Sequence, residues 1–259
     1  MSETTFFAVG DVMVDVTALG VGHGARISLT AGGSAVNAAI WAAIAGADAT
    51  VVGRVGHDLG GRALRTDLEE RGVGANFSVD FEAATGTFLV ADGEIRADRG
   101  ANARFSPDHL PDALEADIVL VSGYLPRATV ATALERAEGT WLALAPALLD
   151  PLPPGANAIL VDEIEALRLT GSAPEEAARM LGERFRLACV TCGADGAVAV
   201  LEGRVETARP QPVDNASPVG AGDAFAAGLL VALARGVALR DAHEAGCGLG
   251  RTVAAGVPS

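Results

Sequence analysis

"SPVGAGDAFAAG", Ser217–Gly228, sets Gly220, Ala221 and Gly222 directly before one acid, Asp223, with an apolar run behind it. The continuation "AFAAGLLVALARG" reads as a helix, with Arg235 in its last turn and Gly236 as its stop. The first turn of a helix carries unpaired amides and a partial positive charge. Three residues with almost no side chain let a ligand approach those amides closely, which makes an anion cradle that needs no lysine. Asp223 then has two readings. It is a helix cap, or it takes the proton from an alcohol that attacks a phosphate held beside it. A cap does not require the three small residues, whereas close backbone approach to a phosphate does. The helix end is expected to lower the pKa of Asp223. A weak base is enough for phosphoryl transfer through a loose transition state.

The bulk of the chain narrows the field. Its 259 residues can bury one substantial core, and half of them are hydrophobic with few aromatics. Abundant Ala and Gly suit close helix-on-sheet packing. The start "MSETTFF" shows no secretory signal, and no uncharged apolar run reaches the roughly 18 residues that span a bilayer. A cytoplasmic protein with no membrane partner is expected. The net charge of −14 opposes non-specific nucleic-acid binding. There is no lysine; all 19 basic side chains are Arg. A P-loop and Schiff-base chemistry are thereby excluded. Cys189 and Cys192 form a CxxC without a second Cys/His pair nearby, which reads as two small apolar side chains near a strand end.

Short apolar runs alternate with amphipathic or Ala-rich stretches. "TFFAVG", "ATVVG", "DIVLVSG", "TWLALA", "NAILV" and "LACVTCG" read as buried strands. Helices are expected near 34–46, 58–71, 127–138, 174–184, 223–235 and 239–254. This alternation predicts an α/β fold, a mostly parallel central sheet with helices on both faces, in one domain over 1–259. Segments near 12–30 and 81–102 break the pattern toward period two. Asp92-Gly93 gives a hairpin signal there, so a small β-sheet lid is predicted. Asp11, Ser122, Gly123, Asp162, Thr191 and Gly193 all follow buried strands. In an open parallel sheet those strand ends share one rim, where ligands bind.

A second constellation, "AGGSAVNAAIWAAIAGADATVVGRVG" at 31–56, leads from Gly32 and Gly33 into an Ala-rich helix with Asn37 one turn inside. Asn37 is either a satisfied core polar group or a side chain aimed at a ligand. The Gly-Gly lead-in favours the ligand.

Both stretches resemble the PfkB (ribokinase-like) family of carbohydrate kinases. One signature runs through Gly32, Gly33, Ala35, Asn37, Ala39, Gly46 and Gly56. The other runs through Ser217, Pro218, Gly220, Ala221, Gly222, Asp223, Ala227 and Gly228. Further marks are "GDVMVD" at 10–15, "VGHDLGG" at 55–61, "RGAN" at 99–102, "DEIE" at 162–165 and "TCGADG" at 191–196. The resemblance spans essentially the whole chain. It implies a ribokinase-like core with a β-lid, and transfer of the ATP γ-phosphate to a sugar-type hydroxyl.

Residue by residue, the resemblance makes Asp223 the catalytic base and the Gly220, Ala221 and Gly222 amides the anion hole. Asp15, Gly33 and Asn37 are implied sugar-hydroxyl ligands, with Asn102 at the lid edge a further candidate. Thr191 and Gly193 are implied nucleotide contacts. Asp162 and Glu165 are implied in Mg²⁺ and phosphate handling, and paired carboxylates suit Mg²⁺ held through its waters. A homodimer through lid sheets is implied too, since an exposed flap edge invites pairing.

The sequence also departs from the family pattern. Asp162 stands where the family usually has Asn. Ser217-Pro218-Val219 replaces Asp-Thr-Thr, which argues against activation by a monovalent cation. The expected activity is ATP- and Mg²⁺-dependent phosphorylation of a small sugar or sugar-like alcohol. The alternatives are a nucleoside kinase of the same family and a sugar- or nucleotide-binding pseudokinase. His57 reads as a loop residue before a helix-capping Asp58. Arg99 is left with two readings, an anionic substrate group or a pair with Asp98.

Overall fold

The computed structural model describes residues 3–91, 94–147, 149–209 and 219–255. The first half of the chain forms β1 (Thr5–Val9), β2 (Met13–Leu19), β3 (Arg26–Gly32), α1 (Ser34–Ile44), β4 (Asp48–Gly56), α2 (Leu59–Glu70), β5 (Gly74–Asp80), β6 (Gly86–Ala91) and β7 (Glu94–Asp98). Next come β8 (Leu114–Glu115), β9 (Ile118–Ser122), α3 (Arg127–Arg136), β10 (Ala137–Glu138), β11 (Trp141–Ala145), β12 (Ala158–Asp162), α4 (Glu163–Thr170) and α5 (Pro174–Gly182). The last part is β13 (Leu187–Thr191), β14 (Ala197–Leu201), β15 (Arg204–Ala208), α6 (Ala221–Ala234) and α7 (Leu239–Ala254).

The large sheet has the order β15-β14-β13-β12-β11-β9-β1-β4-β5. The seven strands from β13 to β5 are parallel. β1, β9, β11, β12 and β13 read as continuous apolar runs because both of their faces are covered. Alternate residues serve opposite sides. Phe6, Ile118, Leu120 and Leu160 pack with α1, α6 and α7. Val119, Val121 and Leu144 pack with α3, and Ile159, Val161 and Val190 with α4 and α5. The expected helices-on-both-faces architecture is what the chain adopts.

Three features lie outside the expectations. β14 and β15 extend the sheet as an antiparallel edge, joined through Glu202 (φ 49°) and Gly203 (φ 81°). Their positive φ values are those of a two-residue hairpin turn. β5 adds a parallel strand at the opposite edge. The stretch read as "DEIE" opens a helix, α4, whose N-cap is Asp162 and whose stop is Gly171 in the left-handed conformation.

The lid is a four-stranded sheet of order β3-β2-β6-β7. β6 and β7 pair antiparallel with Ala91 opposite Glu94, as the hairpin reading requires; Asp92 and Gly93 themselves lie outside the described residues. At the lid root, Asn102 is fully buried and grips Val12 twice. Its Oδ1 accepts from the Val12 N–H at 2.9 Å and its Nδ2 donates to the Val12 carbonyl at 2.9 Å. Asp58 caps α2 by accepting from Gly61 N–H, and it also accepts from the backbone and hydroxyl of Thr85, where the chain re-enters the lid.

α6 is apolar all round because it runs between α1 and α7, with nine of its residues buried. Small residues make that burial possible. A Cβ on Gly246 of α7 would lie 2.9 Å from the Phe225 carbonyl oxygen, and one on Gly250 would lie 3.0 Å from that of Ala221. Backbone, not a flexible side chain, blocks both positions. Gly246→Val is therefore expected to cost about 1–3 kcal/mol by forcing the two helices apart. Thermal unfolding should show a midpoint about 2–10 °C lower than that of the wild type.

Candidate active site

The rim of the parallel strands collects the acids. Asp11 follows β1, Asp162 ends β12, Thr191 ends β13, and Ser122 ends β9. The Ser34 hydroxyl donates to Ser122 Oγ at 2.8 Å, fastening the start of α1 to that rim. Gly33, the residue before α1, has φ 96°, and a Cβ there would meet the Asp11 carbonyl oxygen at 2.3 Å. Only glycine satisfies both constraints. Its neighbour Gly32 has a different reason: a Cβ there would collide with the Asp15 carboxylate at 2.1 Å. The Gly-Gly lead-in thus lets β2 lay an acid directly over the start of α1.

From the other end of the chain, α6 brings its first turn to the same place. Gly220 is the N-cap in the left-handed conformation (φ 78°). The first helical bond runs from Ala224 N–H to the Gly220 carbonyl, so the amides of Ala221, Gly222 and Asp223 precede it and have no intrahelical acceptor. Among the described residues a Cβ on Gly222 would meet nothing within 4 Å, and Gly222 is exposed. Asn37 Nδ2 donates to Asp223 Oδ2 at 3.2 Å, joining the two signature stretches across 186 residues.

The electrostatics follow from this crowding. Asp223 is pushed up to about 7, chiefly by burial and further by the neighbouring Asp15 charge, against the Asn37 hydrogen bond that holds it down. This corrects the expectation of a lowered pKa: loss of water around the carboxylate outweighs the pull of the helix end. Burial likewise lifts Asp15 to about 6. Glu165 rises to about 7, first through burial, although the Asp162 amide opposes the shift.

Asp162 and Glu165 form a capping box. Asp162 Oδ1 accepts from Glu165 N–H at 2.7 Å, and Glu165 Oε2 accepts from Asp162 N–H at 2.9 Å. One oxygen of each is thereby used in starting α4, and among the described residues no group of three or more His, Cys, Asp or Glu could hold a metal ion by itself. The pair fits a metal held mainly by other ligands, through water. Thr191 donates its hydroxyl to the Val161 carbonyl at 3.3 Å, and Gly193 (φ 53°) starts an exposed turn with open space around its Cα.

Two residues sit differently from their sequence readings. Asn102 is spent on Val12, so it shapes the lid root. Arg99 does not pair with Asp98. Its Nη2 lies 3.1 Å from Asp11 Oδ1, while Asp98 accepts from the Gly100 amide. One site residue escaped the sequence reading. Tyr124, the sole tyrosine, follows β9 on the rim between Asp162 and Asp11 and is half exposed. Burial raises its pKa, helped by the charges of Glu165, Asp223, Asp162 and Asp11. It is a neutral phenol with four acids around it. Its place three residues beyond the end of "DIVLV" was the available signal.

A helix mouth with free amides, a raised carboxylate beside it, and a second acid on a covering lid suit transfer of an anionic group to a hydroxyl. The pfkB family carbohydrate kinase pattern matches residues 3–256. The chain belongs to the PfkB carbohydrate kinase family. It is a carbohydrate kinase, an enzyme of ATP-dependent sugar phosphorylation. A fructokinase of Klebsiella pneumoniae is 30% identical over 88% of this chain and 84% of its own length. A 1-phosphofructokinase of Haloferax volcanii is 29% identical over 84% of this chain and 77% of its own. The aminoimidazole riboside kinase of Salmonella enterica, solved with aminoimidazole riboside and an ATP analogue, has the same ribokinase-like fold. It superposes with a TM-score of 0.80 over 96% of this chain and 93% of that one, at 21% identity.

The raised carboxylate makes a stability prediction with a definite sign. The pKa of Asp223 in the fold lies above its ordinary value of 3.8. Its favourable contribution is therefore complete below about 4 and is lost as pH rises through about 7. Asp223→Asn should raise the unfolding midpoint at pH 8 by about 2–4 °C, with the gain vanishing near pH 4. Melting curves across that range test it.

Proposed function

We propose that this PfkB kinase, as one unit with its lid carried on 13–32 and 86–98, phosphorylates a small sugar or sugar-like alcohol with Asp223 as general base. The 3.2 Å contact between Asn37 and Asp223 carries the reading, because it holds the carboxylate's orientation from a second signature. Asp15, Asn37 and the Gly33 backbone orient the acceptor hydroxyls. Asp223 takes the proton of the attacking hydroxyl, and a pKa of about 7 suits that task at neutral pH. The backbone amides of Gly220, Ala221 and Gly222 receive the phosphoryl oxygens, and those of Ala221 and Gly222 have no intrahelical acceptor. Thr191 and Gly193 contact the nucleotide. Asp162 and Glu165 would hold Mg²⁺, and the ion would neutralise phosphate charge there. Closure of the lid excludes water. The support for each role is position on the shared rim together with the family match.

The pseudokinase reading loses ground because the acid meets its amide partner and stands in a helix turn whose amides have no intrahelical acceptor. A nucleoside acceptor stays in view, since the superposed Salmonella enterica enzyme is named for a riboside. Ser217 and Pro218, the positions that argue against a monovalent cation, lie outside the described residues. A cytoplasmic location fits three cysteines that are all free, and among the described residues no helix is long and apolar enough to cross a membrane.

A homodimer through the lid has its own argument. Strand register puts Val16, Ala18, Ile27, Leu29 and Leu89 on the lid face opposite Asp15. α2 covers one end of that face, where Gly60 approaches Val14. Ile27 and Leu29 remain 64% and 66% exposed. A second copy would cover them.

The catalytic assignment predicts that Asp223→Asn lowers kcat about 10²–10⁴-fold while leaving ATP affinity nearly unchanged. Wild-type kcat/KM should fall as pH drops below about 7, where Asp223 becomes protonated. Asn37→Ala, which removes the bond holding that pKa down, should move the fall to higher pH. An ADP-release assay over a panel of sugars and nucleosides measures all three, and wild-type turnover by Asp223→Asn removes the assignment. For the dimer, Leu29→Glu should shift sedimentation from two copies to one; a wild type that sediments as a single chain refutes the interface.

A further inference from the structure

Resting on the kinase reading above, we infer that Tyr124 is a catalytic residue: its phenol hydroxyl donates a hydrogen bond to the phosphoryl group in transit between nucleotide and acceptor. The argument starts from topology. From β1 the large sheet grows one way through β4 and β5, and from β9 it grows the other way through β11, β12 and β13. The direction of growth therefore reverses between β1 and β9, which are hydrogen-bonded neighbours. In an open parallel sheet, the crevice outside the carboxyl ends at such a reversal is where a ligand sits. Asp11 follows one of the two flanking strands, and Tyr124 follows the other.

The turn after β9 is built to present that one side chain. Gly123 N–H donates to the Ala145 carbonyl at 2.7 Å, and a Cβ on Gly123 would lie 2.0 Å from the Pro146 carbonyl oxygen. The turn is thus clamped against the end of β11 by an approach that only glycine allows. Tyr124 N–H donates to Ser122 Oγ at 3.4 Å, and Ser122 Oγ accepts in turn from Ser34 at the start of α1. Ser122, Gly123 and Leu125 are buried, while Tyr124 between them is 55% exposed. The core does not need its ring. Among the described residues its hydroxyl has no hydrogen-bond partner either.

Position along the rim assigns the ligand. Asp162 at the end of β12 and Thr191 at the end of β13 lie on the side given above to the nucleotide and its metal. Asp11 after β1, with Asn37 and Asp223 over it, lies on the side given to the acceptor. The turn after β9 stands between the two, and charges from both sides act on the phenol: Glu165, Asp223, Asp162 and Asp11. A phosphoryl group has to cross this point to reach the acceptor. An ionised carboxylate repels its oxygens, whereas a phenol donates to them. In the transfer, the acceptor oxygen forms a bond to the γ-phosphorus while the bond from that phosphorus to the bridging oxygen of ADP breaks. Asp223 takes the acceptor proton, ADP keeps the bond electrons, and Tyr124 retains its own proton throughout.

The test compares Tyr124→Phe with the wild type, using MgATP and whichever sugar or nucleoside of the panel the wild type phosphorylates fastest. Loss of a donor used only in the transition state should lower kcat about 10- to 100-fold, with both KM values within about threefold of wild type. The pH dependence of the remaining activity should keep its wild-type midpoint, because the phenol holds its proton across the range in which Asp223 titrates. Wild-type kcat in the variant overturns the inference and leaves the kinase reading standing. A raised acceptor KM with unchanged kcat does the same, by making the ring a wall of the sugar pocket. So does a displaced pH midpoint, which means that Tyr124 acts through Asp223. The unfolding midpoint of Tyr124→Phe should stay within about 2 °C of wild type, as suits a half-exposed side chain. A larger fall assigns the hydroxyl to the fold and overturns the inference as well. Absence of ADP release by the wild type with every compound removes the kinase reading and this inference together.

Discussion

Two signature stretches at opposite ends of the chain meet in one hydrogen bond, from Asn37 Nδ2 to Asp223 Oδ2. The bond requires α1 and α6 to lie side by side with their N-termini level, and most of the architecture serves that requirement. α1 is rich in Ala and α6 in Ala and Gly, so both can be buried against the sheet and against each other. α7 closes over α6 only because Gly246 and Gly250 leave room for its backbone. A carboxylate held in this way has lost much of its water, which is why its pKa climbs toward neutrality although it lies in the first turn of a helix. Packing and chemistry are thus one fact: the burial that positions Asp223 also tunes it.

The lid root obeys the same economy. Asn102 spends its whole amide on the backbone of Val12, and Arg99 spends its charge on Asp11. These contacts join the points where the chain leaves the core for β2 and returns from β7. They fix where Asp15 stands relative to Gly32 without touching a ligand. Asp58 does the equivalent work where β6 begins, using one carboxylate to cap α2 and to hold Thr85. Polar residues near a cleft divide between those that face the ligand and those that build the frame. Here the frame takes the share that sequence position alone would have given to the ligand.

That division marks what the sequence could show. The parallel core was legible because strands buried on two faces must be apolar throughout, and "DIVLV" and "NAILV" can hardly be anything else. The glycine-bounded helix after Asp223 was legible because small residues and a stop signal bracket it. Side-chain partnership was not. Nothing local in "RADRGAN" says that Arg99 reaches Asp11, 88 positions away, or that Asn102 turns its amide toward Val12. The "DEIE" stretch was read for its acids alone, and the capping box that starts α4 went unseen because the same residues serve both purposes. The β14–β15 hairpin hid behind Glu202-Gly203, a turn whose first residue is an unusual carrier of positive φ.

The acidity of the whole chain takes on a specific meaning at the rim. Asp11, Asp15, Asp162, Glu165 and Asp223 converge there, and such a concentration of carboxylates repels the anions that a kinase must bind. The fold sets uncharged groups among them: the backbone amides at the first turn of α6 that have no intrahelical acceptor, and the neutral phenol of Tyr124, whose pKa burial raises further. Three of those acids, Asp15, Glu165 and Asp223, are pushed up to about 6 or 7, chiefly because the fold takes water away from them.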